Sequence, residues 1–535
     1  MTCSRLQFCL AFAVLWSTAG GSAHAQKNPE GIGGRPWVQS VQPRQTMRPT
    51  PVETSVDVEP SSDDPAVDND PARPAIRGSL TGDGDPASPT EPVQPVDGIV
   101  TQPDADRIET AGTNRHDLGT QTDVDAFDRP RAGFDPDAFS IEPEPSLDRR
   151  PERRFRRDPF DPTGIRMGSF MILPEAELAA AAYSNVFRGS QDPLGDAALE
   201  FRPSVRAVSM WSRHALELRA EGNTSFHKSY ASEDDRAALL EARGRIDLTR
   251  RTNIEALAAW ERAQEMRGSI DVPLSAVERG DVESRRAAIS VNHRSNRLAL
   301  QLRGSLAEFD YAPVATLGGG EISNADRDYI QQEAALRASW LLKSTLSAFA
   351  ETSVNIRDHT TAGSDGIKHD SHGTRHRIGL SFGGPEAWLH GQASIGYGQQ
   401  TYDVPLLLSV EGILVDANLV WRVSGLTSLL LTARTDVEEA SLAGIGGALA
   451  RSVGAEVRHA FRRNLVGTAG VRFARSDYQG ADFTERELVT MLGLEYILSR
   501  EVTLFGGYRH IAFDSTDEAR NYNADEVRVG VRLRR

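Results

Sequence analysis

A short stretch of strict alternation, Leu216–Phe226, sets the pattern for most of the chain. Every second side chain is apolar or small, and the positions between them are charged or polar. The apolar set is Leu216, Leu218, Ala220, Gly222, Thr224 and Phe226, and the polar set is Glu217, Arg219, Glu221, Asn223 and Ser225. A period of two residues predicts a β-strand with one apolar face and one hydrated face.

Two kinds of fold accommodate such a strand. In an antiparallel sandwich, the apolar set turns towards a dry core and the charges face bulk water. In a membrane barrel, the apolar set faces lipid and the charges face an aqueous lumen. The remaining strands and the connections between them decide which of the two folds the sequence favours.

About eighteen strand-like runs follow one another, from 168–183 to 525–534. The connections between them alternate in length, so that short ones such as 250–252 are followed by long polar ones such as 268–283. Short turns on one rim and long loops on the other are typical of outer-membrane barrels. A sandwich lacks this regularity, because Greek-key crossings interrupt the series of hairpins.

The sequence therefore predicts an all-β fold, a transmembrane antiparallel β-barrel of about 18 strands, with roughly 16–18 as the expected range. An even number of strands places both ends of the barrel on the same rim. Because the first and last connections are long, that rim is the one with the short turns. In outer-membrane barrels the short turns face the periplasm.

Residues 1–25 have the features of a secretory signal peptide. Arg5 supplies the positive charge, an apolar run extends from Leu6 to Trp16, and Ala23-His24-Ala25 is a small-residue cleavage site. The alternative, a membrane anchor, is disfavoured because the apolar run is too short to span a bilayer as a helix.

The segment after the signal peptide has a different composition from the barrel. Residues 26–157 are rich in proline and aspartate and have almost no apolar periodicity, which predicts a disordered periplasmic tail. A docking segment for a periplasmic partner is the alternative. Residues 158–535 then form the barrel. Both cysteines, Cys3 and Cys9, precede the tail, so the exported chain is expected to lack thiols, disulfides and cysteine-bound metals.

Composition and motifs narrow the function further. The 535-residue chain has a net charge of −15, which does not suggest a nucleic-acid-binding surface. No Gly-x-Ser-x-Gly elbow with a partner acid and histidine is recognisable. The glycine clusters at 318–320 and 444–447 lack the strand-to-helix context of a phosphate-binding loop. We therefore expect no enzymatic activity and no cofactor.

One group of histidines is a candidate metal site. His359, His369, His372 and His376 are close together in the sequence and could approach a metal if their segment folded back on itself. That segment is rich in glycine, serine and aspartate and contains no cysteine, which indicates a surface loop. We therefore predict no metal site here.

Charged residues recur on the face opposite the apolar one in other strands. An arginine facing lipid at mid-depth would cost about 2–4 kcal/mol, so these faces are expected to point inward. The candidate lumen-lining residues are Glu217, Arg219, Glu221, Glu241, Arg243, Arg245, Asp247, Glu255, Arg286, Arg303, Arg337, Glu351 and Arg357. They either pair and hold the wall together or also line a conduit for hydrophilic solutes.

Aromatic residues occur near the ends of the predicted strands, where the two girdles of a membrane barrel lie. Ordinary strand aromatics are the alternative interpretation. The candidate girdle residues are Tyr183, Phe201, Trp211, Phe226, Trp260, Trp340, Trp388, Trp421, Tyr478 and Tyr496.

The start of the predicted barrel reads Asp158-Pro-Phe-Asp-Pro-Thr-Gly-Ile-Arg-Met-Gly-Ser-Phe-Met-Ile-Leu-Pro174, followed by Tyr183-Ser-Asn-Val-Phe187, Arg202-Pro-Ser-Val-Arg206 and Trp211-Ser-Arg-His214. Through these segments, residues 158–535 resemble the beta-barrel porin 2 family of Gram-negative outer-membrane proteins. The resemblance implies an outer-membrane barrel without catalytic residues. It also implies a connection to exopolysaccharide export, with which some members are associated.

The C-terminal sequence departs from the usual pattern. Outer-membrane barrels usually end on an aromatic residue that the barrel assembly machinery recognises, whereas this sequence ends Arg532-Leu533-Arg534-Arg535. The expected partners are outer-membrane lipid, the assembly machinery, a periplasmic protein at the tail and components of polysaccharide export. Two functions follow: a porin-like passage for hydrophilic solutes, or a non-conducting barrel that acts as a structural or partner-binding anchor.

Overall fold

The computed structural model describes residues 160, 162–265, 267, 276–316, 319–363, 366–383, 387–440 and 444–535. Within them, a single antiparallel sheet of eighteen long strands closes into a barrel. The predicted signal peptide and the tail at 26–157 lie outside the described residues. In the described part of the chain, no helix has the length and apolar character needed to span a membrane.

The antiparallel barrel predicted from the sequence is confirmed, and its strand number is eighteen. The strands are β1 Phe170–Tyr183, β2 Asp196–Ser209, β3 Ala215–His227, β4 Arg236–Thr249, β5 Thr252–Gln264, β6 Asp281–Ser295, β7 Leu298–Tyr311, β8 Tyr329–Lys343, β9 Leu346–His359, β10 Ser371–Phe382, β11 Leu389–Tyr402, β12 Val410–Arg422, β13 Thr427–Glu439, β14 Gly447–Arg462, β15 Leu465–Gln479, β16 Thr484–Ile497, β17 Val502–Ser515 and β18 Tyr522–Arg534. The predicted boundaries agree with these to within a few residues.

The barrel closes where the first strand meets the last. β1 pairs with β2 along its whole length and with β18 from Glu175, opposite Arg534, to Tyr183, opposite Glu526. The first residues of β1 pair instead with a short strand, Ile165–Met167. Because the long strands all have partners on both sides, most of their backbone groups are paired within the sheet, as a lipid environment requires.

The connections separate the two rims of the barrel. Turns such as 250–251 and 296–297 lie on one rim, and loops such as 265–280 and 312–328 lie on the other. The connection between β15 and β16 on the long-loop rim is only 480–483, because β15 extends to Gln479. The backbone N–H of Arg535 donates to the carbonyl of Pro174 at 3.2 Å, so both barrel ends lie on the short-turn rim.

The two faces of the wall differ sharply in exposure. Leu218 and Leu302 are 42% and 58% exposed, whereas Glu217 and Arg303, each one residue away, are 4% and 3% exposed. A soluble sandwich would show the reverse, with apolar side chains buried and charges in water. Exposed apolar side chains in regular alternation with enclosed charges are the arrangement of a wall between lipid and an interior.

Eight of the ten predicted girdle aromatics lie on the outward face or on the short-turn rim. The outward-exposed ones are Phe201, Trp211, Phe226, Trp340, Trp388, Trp421 and Tyr496, and Trp260 is partly exposed. The prediction is wrong for Tyr183 and Tyr478, which face inward and are buried. Their hydroxyl groups donate to buried inner-face carboxylates, Tyr183 to Glu200 at 2.6 Å and Tyr478 to Glu485 at 3.0 Å.

Candidate functional site

The charged face of the wall is its concave face. Arg337 on β8 donates to Gln392 on β11 at 2.9 Å, and Arg532 on β18 donates to Glu495 on β16 at 2.8 Å. Both bonds pass over at least one intervening strand. Side chains converge on the concave side of a barrel and diverge on the convex side, so bonds of this kind form only in the interior.

The inner charges of β3 and β4 form a checkerboard. Glu217 lies opposite Arg243, and Arg219 lies opposite Glu241, in the register of the two strands. Each strand also pairs its own charges two residues apart: Arg243 donates to Glu241 at 2.8 Å, and Arg219 donates to Glu221. Opposite charges directly across a sheet attract, so this part of the wall combines a high density of charge with a small net charge.

The same arrangement continues into β5 and β6. Arg245 donates to Asp247 at 2.8 Å along β4 and lies opposite Glu255 on β5. Asn292 on β6 donates in turn to Glu255 at 3.0 Å. Glu255 thus lies between an amide that donates to it and an arginine that faces it across the ladder, and both interactions stabilise the carboxylate.

Two further candidates each bind a carboxylate on a neighbouring strand. Arg286 on β6 donates to Glu261 on β5 at 2.6 Å. Arg303 on β7 donates to Glu333 on β8 at 3.2 Å, and both of these side chains are buried. The inner pairs therefore tie neighbouring strands to one another, in addition to the backbone ladder.

Arg337 has contacts with an aromatic ring as well as with a carboxylate. Its guanidinium lies 3.6 Å from the centre of the Phe349 ring and 3.4 Å from the carboxylate of Glu351. Arg377 on β10 binds the other oxygen of Glu351 at 2.8 Å. One carboxylate thus binds two arginines, while the ring provides a further favourable surface for one of them.

Arg357 hydrogen-bonds to an amide on the neighbouring strand. It donates to Gln331 at 2.7 Å, and Gln400 nearby donates to Ser371 at 2.9 Å. All four residues are at most 3% exposed. In this sector the inner wall changes from ion pairs to amide and hydroxyl groups, which bind polar solutes without selecting a charge.

The sequence analysis missed a cluster of inner charges at the junction of β1 and β18, which we call the seam clasp. Arg532 binds Glu175 at 3.2 Å, Glu177 at 2.6 Å and Glu495 at 2.8 Å. Arg528 binds Glu177 at 3.3 Å. These bonds join the last strand to β1 and β16, across the closure of the barrel.

The seam clasp continues to β2. Arg528 also binds Glu200, which in turn binds Arg202 at 2.9 Å. In the sequence, Arg528 and Arg532 alternate with Val527, Val529 and Val531, which indicates that the two arginines point inward. Glu177 and Glu200 carried a weaker signal, because they lie in alanine-rich runs that show little contrast between the two faces.

A belt of inward-facing aromatic residues lies at the long-loop ends of the strands, and we call it the inner collar. Each member is at most 8% exposed. The members are Tyr183, Phe309, Tyr311, Tyr329, Tyr402, Tyr478, Phe513 and Tyr522. The guanidinium of Arg327 lies 4.1 Å from the ring centre of Tyr311, and Arg188 donates to the hydroxyl of Tyr522 at 3.2 Å. Loops 184–195 and 312–328 therefore fold inward over the mouth.

Three ion pairs fasten the inward loops to one another, and together they form what we call the loop clamp. They join loop 265–280 to loops 228–235 and 312–328. The pairs are Arg267–Glu233 at 2.9 Å, Arg279–Asp235 at 3.0 Å and Arg327–Glu265 at 2.5 Å. Burial lowers the pKa of Arg279 to about 9, against the opposing effect of the nearby carboxylates Asp235 and Glu233. Such burial of a charged group occurs where loops pack closely against one another and exclude solvent.

The histidine group is not brought together. His359 and His369 face inward, with ring centres 5.9 Å apart. His372 and His376 point to the outer face, where they bind Asp403 at 3.3 Å and Thr352 at 2.8 Å. Over the described ranges, no group of three or more histidine, cysteine, aspartate or glutamate residues is placed to hold a metal ion.

The family described as "Putative beta-barrel porin 2" matches residues 158–535, the segment that contains every strand of the barrel. The chain belongs to this family. A porin-family barrel with this fold is an outer-membrane protein, so the outer-membrane barrel implied by the sequence resemblance is confirmed.

Similarity to individual proteins is more distant. No curated protein matches this porin-family chain in sequence. Among solved structures, "Copper transporter OprC" has 11% identity and a TM-score of 0.40, covering 69% of this chain and 82% of that one. OpdK from Pseudomonas aeruginosa has 12% identity and a TM-score of 0.35, covering 68% and 98%. OpdO from Pseudomonas aeruginosa has 15% identity and a TM-score of 0.38, covering 69% and 97%.

Proposed function

We propose that this porin-family barrel gives hydrophilic solutes a passage across the outer membrane. The observation that carries the proposal is the separation of the wall into an exposed apolar outer face and an inner face of ionic and amide groups. Water and polar solutes are stabilised beside the inner face and excluded by the outer one. An exported polysaccharide is one candidate cargo, and it rests on family analogy alone.

The pairing of charges suggests which solutes pass. Among the thirteen candidates, arginines lie beside carboxylates, as Arg243 beside Glu241 and Arg337 beside Glu351 illustrate. Paired charges produce a small net potential, so the interior neither concentrates nor rejects ions of one sign strongly. We infer that neutral polar molecules, including sugars, and small ions of both signs are the preferred solutes.

Recording from single proteins in planar lipid bilayers tests the passage directly. We expect discrete conductance steps from purified barrels whose heat-modifiable gel mobility shows that they are folded. Current that is blocked in a graded manner by neutral oligosaccharides would add support for a sugar-sized passage. A folded barrel without conductance would contradict the proposal.

The second candidate function is a non-conducting barrel that anchors or organises other components. The inward folding of the loops over the inner collar favours it, because the long-loop mouth is narrowed by packed side chains such as Arg327 on Tyr311. A folded and electrically silent barrel is the result expected for this function. In that case a periplasmic partner at the N-terminal tail becomes the first interaction to seek.

Ion selectivity provides a sharper prediction, because adjacent residues offer a matched pair of variants. Arg286 faces inward and binds Glu261, whereas Arg285 faces outward. We expect Arg286→Gln to shift the permeability ratio about twofold towards cations, because Glu261 is left uncompensated in the interior. Arg285→Gln should leave the ratio at the wild-type value. The reversal potential across a salt gradient measures both, and an equal shift in the two variants would contradict the assigned facing.

A further inference from the structure

Three arginines form a row across adjacent strands on the outer face of the barrel, and we call it the arginine row. Arg451 on β14 lies opposite Arg475 on β15, and Arg475 lies opposite Arg486 on β16. Like charges directly across a sheet repel each other and destabilise the pairing. The backbone register therefore concentrates positive charge at a place where folding alone gives no reason for it.

The exposure of neighbouring residues shows that the row faces outward. The next residues on the same face are Val453, Phe473 and Leu488, which are 55%, 41% and 40% exposed. These belong to the apolar outer band of the barrel. The side chains of Arg451 and Arg475 are themselves 48% and 42% exposed.

The row lies at the edge of the apolar band nearest the long loops. From Arg486, the outer face of β16 continues through Leu488, Leu492 and Leu494 to Tyr496. The ten residue steps from Arg486 to Tyr496 extend about 33 Å, which corresponds to a height of about 25 Å at the usual strand tilt. That height equals the usual apolar band, so the row lies at the level of the lipid headgroups in the outer leaflet.

The charges of the row are only partly neutralised by the protein. Asp477 binds Arg475 at 2.7 Å through one oxygen and Arg451 at 2.5 Å through the other. A single carboxylate thus serves two guanidinium groups. Arg486 forms no ion pair within the part of the chain that the structure describes, although Asp514 is its register partner on β17. The guanidinium groups retain donors for an anion from outside.

The opposite side of the barrel has the opposite balance of charge. There, nine strands away in the ring, the outward rim of β5–β7 surrounds each arginine with carboxylates. Arg285 binds Glu283 at 2.6 Å, Glu308 at 3.1 Å and Asp310 at 3.4 Å. The surplus of arginine on β14–β16 is therefore absent from the β5–β7 sector of the same rim.

We propose that the arginine row binds the phosphate groups of an anionic lipid headgroup in the outer leaflet. Guanidinium groups bind phosphate through paired hydrogen bonds. Val453, Phe473 and Leu488, directly below the row, supply the apolar surface for the acyl chains of the same lipid. The proposal does not depend on whether the lumen conducts.

Lipid retention in purified protein tests the proposal. The full-length protein is reconstituted with bisphosphorylated lipid A or with phosphatidylcholine, and the lipid that remains bound is measured by native mass spectrometry. The test variant is Arg451→Gln/Arg475→Gln/Arg486→Gln. The matched control is Arg262→Gln/Arg285→Gln, which removes two outward arginines at the opposite side of the barrel.

We expect wild type and control to retain lipid A in preference to phosphatidylcholine, and the triple variant to bind lipid A at least about tenfold more weakly. If the triple variant does not fold, Arg486→Gln replaces it, because it breaks no internal ion pair; a reduction of about fivefold is then expected. Retention of lipid A at the wild-type level by the variant would overturn the proposal. So would equal retention of the two lipids, or displacement of lipid A by millimolar inorganic phosphate.

Discussion

At the scale of single residues, the environment of a side chain reverses within one peptide unit. Leu218 projects into the space that lipid occupies, and Arg219, the next residue, is held inside the wall by Glu221. Two free-energy costs account for this difference. A charge in hydrocarbon is costly, and a buried charge that has lost its partner is also costly.

Substitutions at these positions have different expected outcomes. Leu218→Arg places a guanidinium on the apolar outer face, where the cost rises to about 2–4 kcal/mol at mid-depth, and we expect less assembled barrel. Arg219→Leu/Glu221→Leu removes both members of one inner pair and leaves no unpaired charge, so the barrel should still fold. Heat-modifiable gel mobility of the membrane fraction measures assembly. Equal yields of the two variants would show that the facing of β3 is misassigned.

At the scale of elements, the long loops are parts of the structure with their own contacts. Loop 265–280 binds the loops on either side of it through the loop clamp. It also extends the short hairpin formed by Val314–Ala315 and Glu321–Ile322, through a bridge between Ala276 and Thr316. Because Arg327 joins this group to the inner collar, the clamp and the narrowing of the mouth are one arrangement.

A reversible crosslink can test whether the clamp controls passage. Residues opposite each other in an antiparallel bridge have Cα atoms about 4.5–5.5 Å apart, within the range that a disulfide spans. The only cysteines in the sequence are Cys3 and Cys9, both in the predicted signal peptide. We expect oxidised Ala276→Cys/Thr316→Cys to conduct with fewer current fluctuations, and reduction to restore them. The single variant Ala276→Cys is the control. Identical current traces of the double variant before and after reduction would show that the clamp does not control passage.

At the scale of the whole molecule, the closure of the barrel is reinforced by the seam clasp. The backbone ladder between β1 and β18 is shorter than the ladder between β1 and β2. Arg532 lies beside this junction and binds carboxylates of β1 and β16. The ion pairs compensate for the hydrogen bonds that the shorter ladder lacks.

Removal of Arg532 should therefore weaken the barrel as a whole. In Arg532→Met the carboxylates of Glu177 and Glu495 lose a buried partner, and breaking such a pair typically costs about 3–5 kcal/mol. The temperature at which the folded gel band disappears should fall clearly below that of wild type. Arg285→Met breaks exposed pairs that contribute about 0–1 kcal/mol, and it should unfold at nearly the wild-type temperature. Equal losses in the two variants would argue against a role for the clasp in closure.

The barrel could be predicted from the sequence because the patterns that indicate it are local. The alternation of apolar and polar residues along each strand, as in Leu216–Phe226, indicates the two faces of the wall. The alternation of short and long connections indicates the two rims. The partners within the interior were not predictable, because Arg337 reaches Gln392 across intervening strands and that contact depends on the curvature of the closed sheet. The facing of Tyr183 was available in principle, since it shares the parity of Glu177.

The backbone N–H of Arg535 donates to the carbonyl of Pro174, so the end of β18 lies beside the start of β1. Every pair of neighbouring strands is joined by the same kind of ladder, and only this pair has no peptide connection. The molecule is therefore suited to circular permutation. In such a variant, a short linker joins the end of β18 to the start of β1, and new chain ends are made within 403–409. Each ladder is then preserved, and both termini move to the opposite side of the membrane.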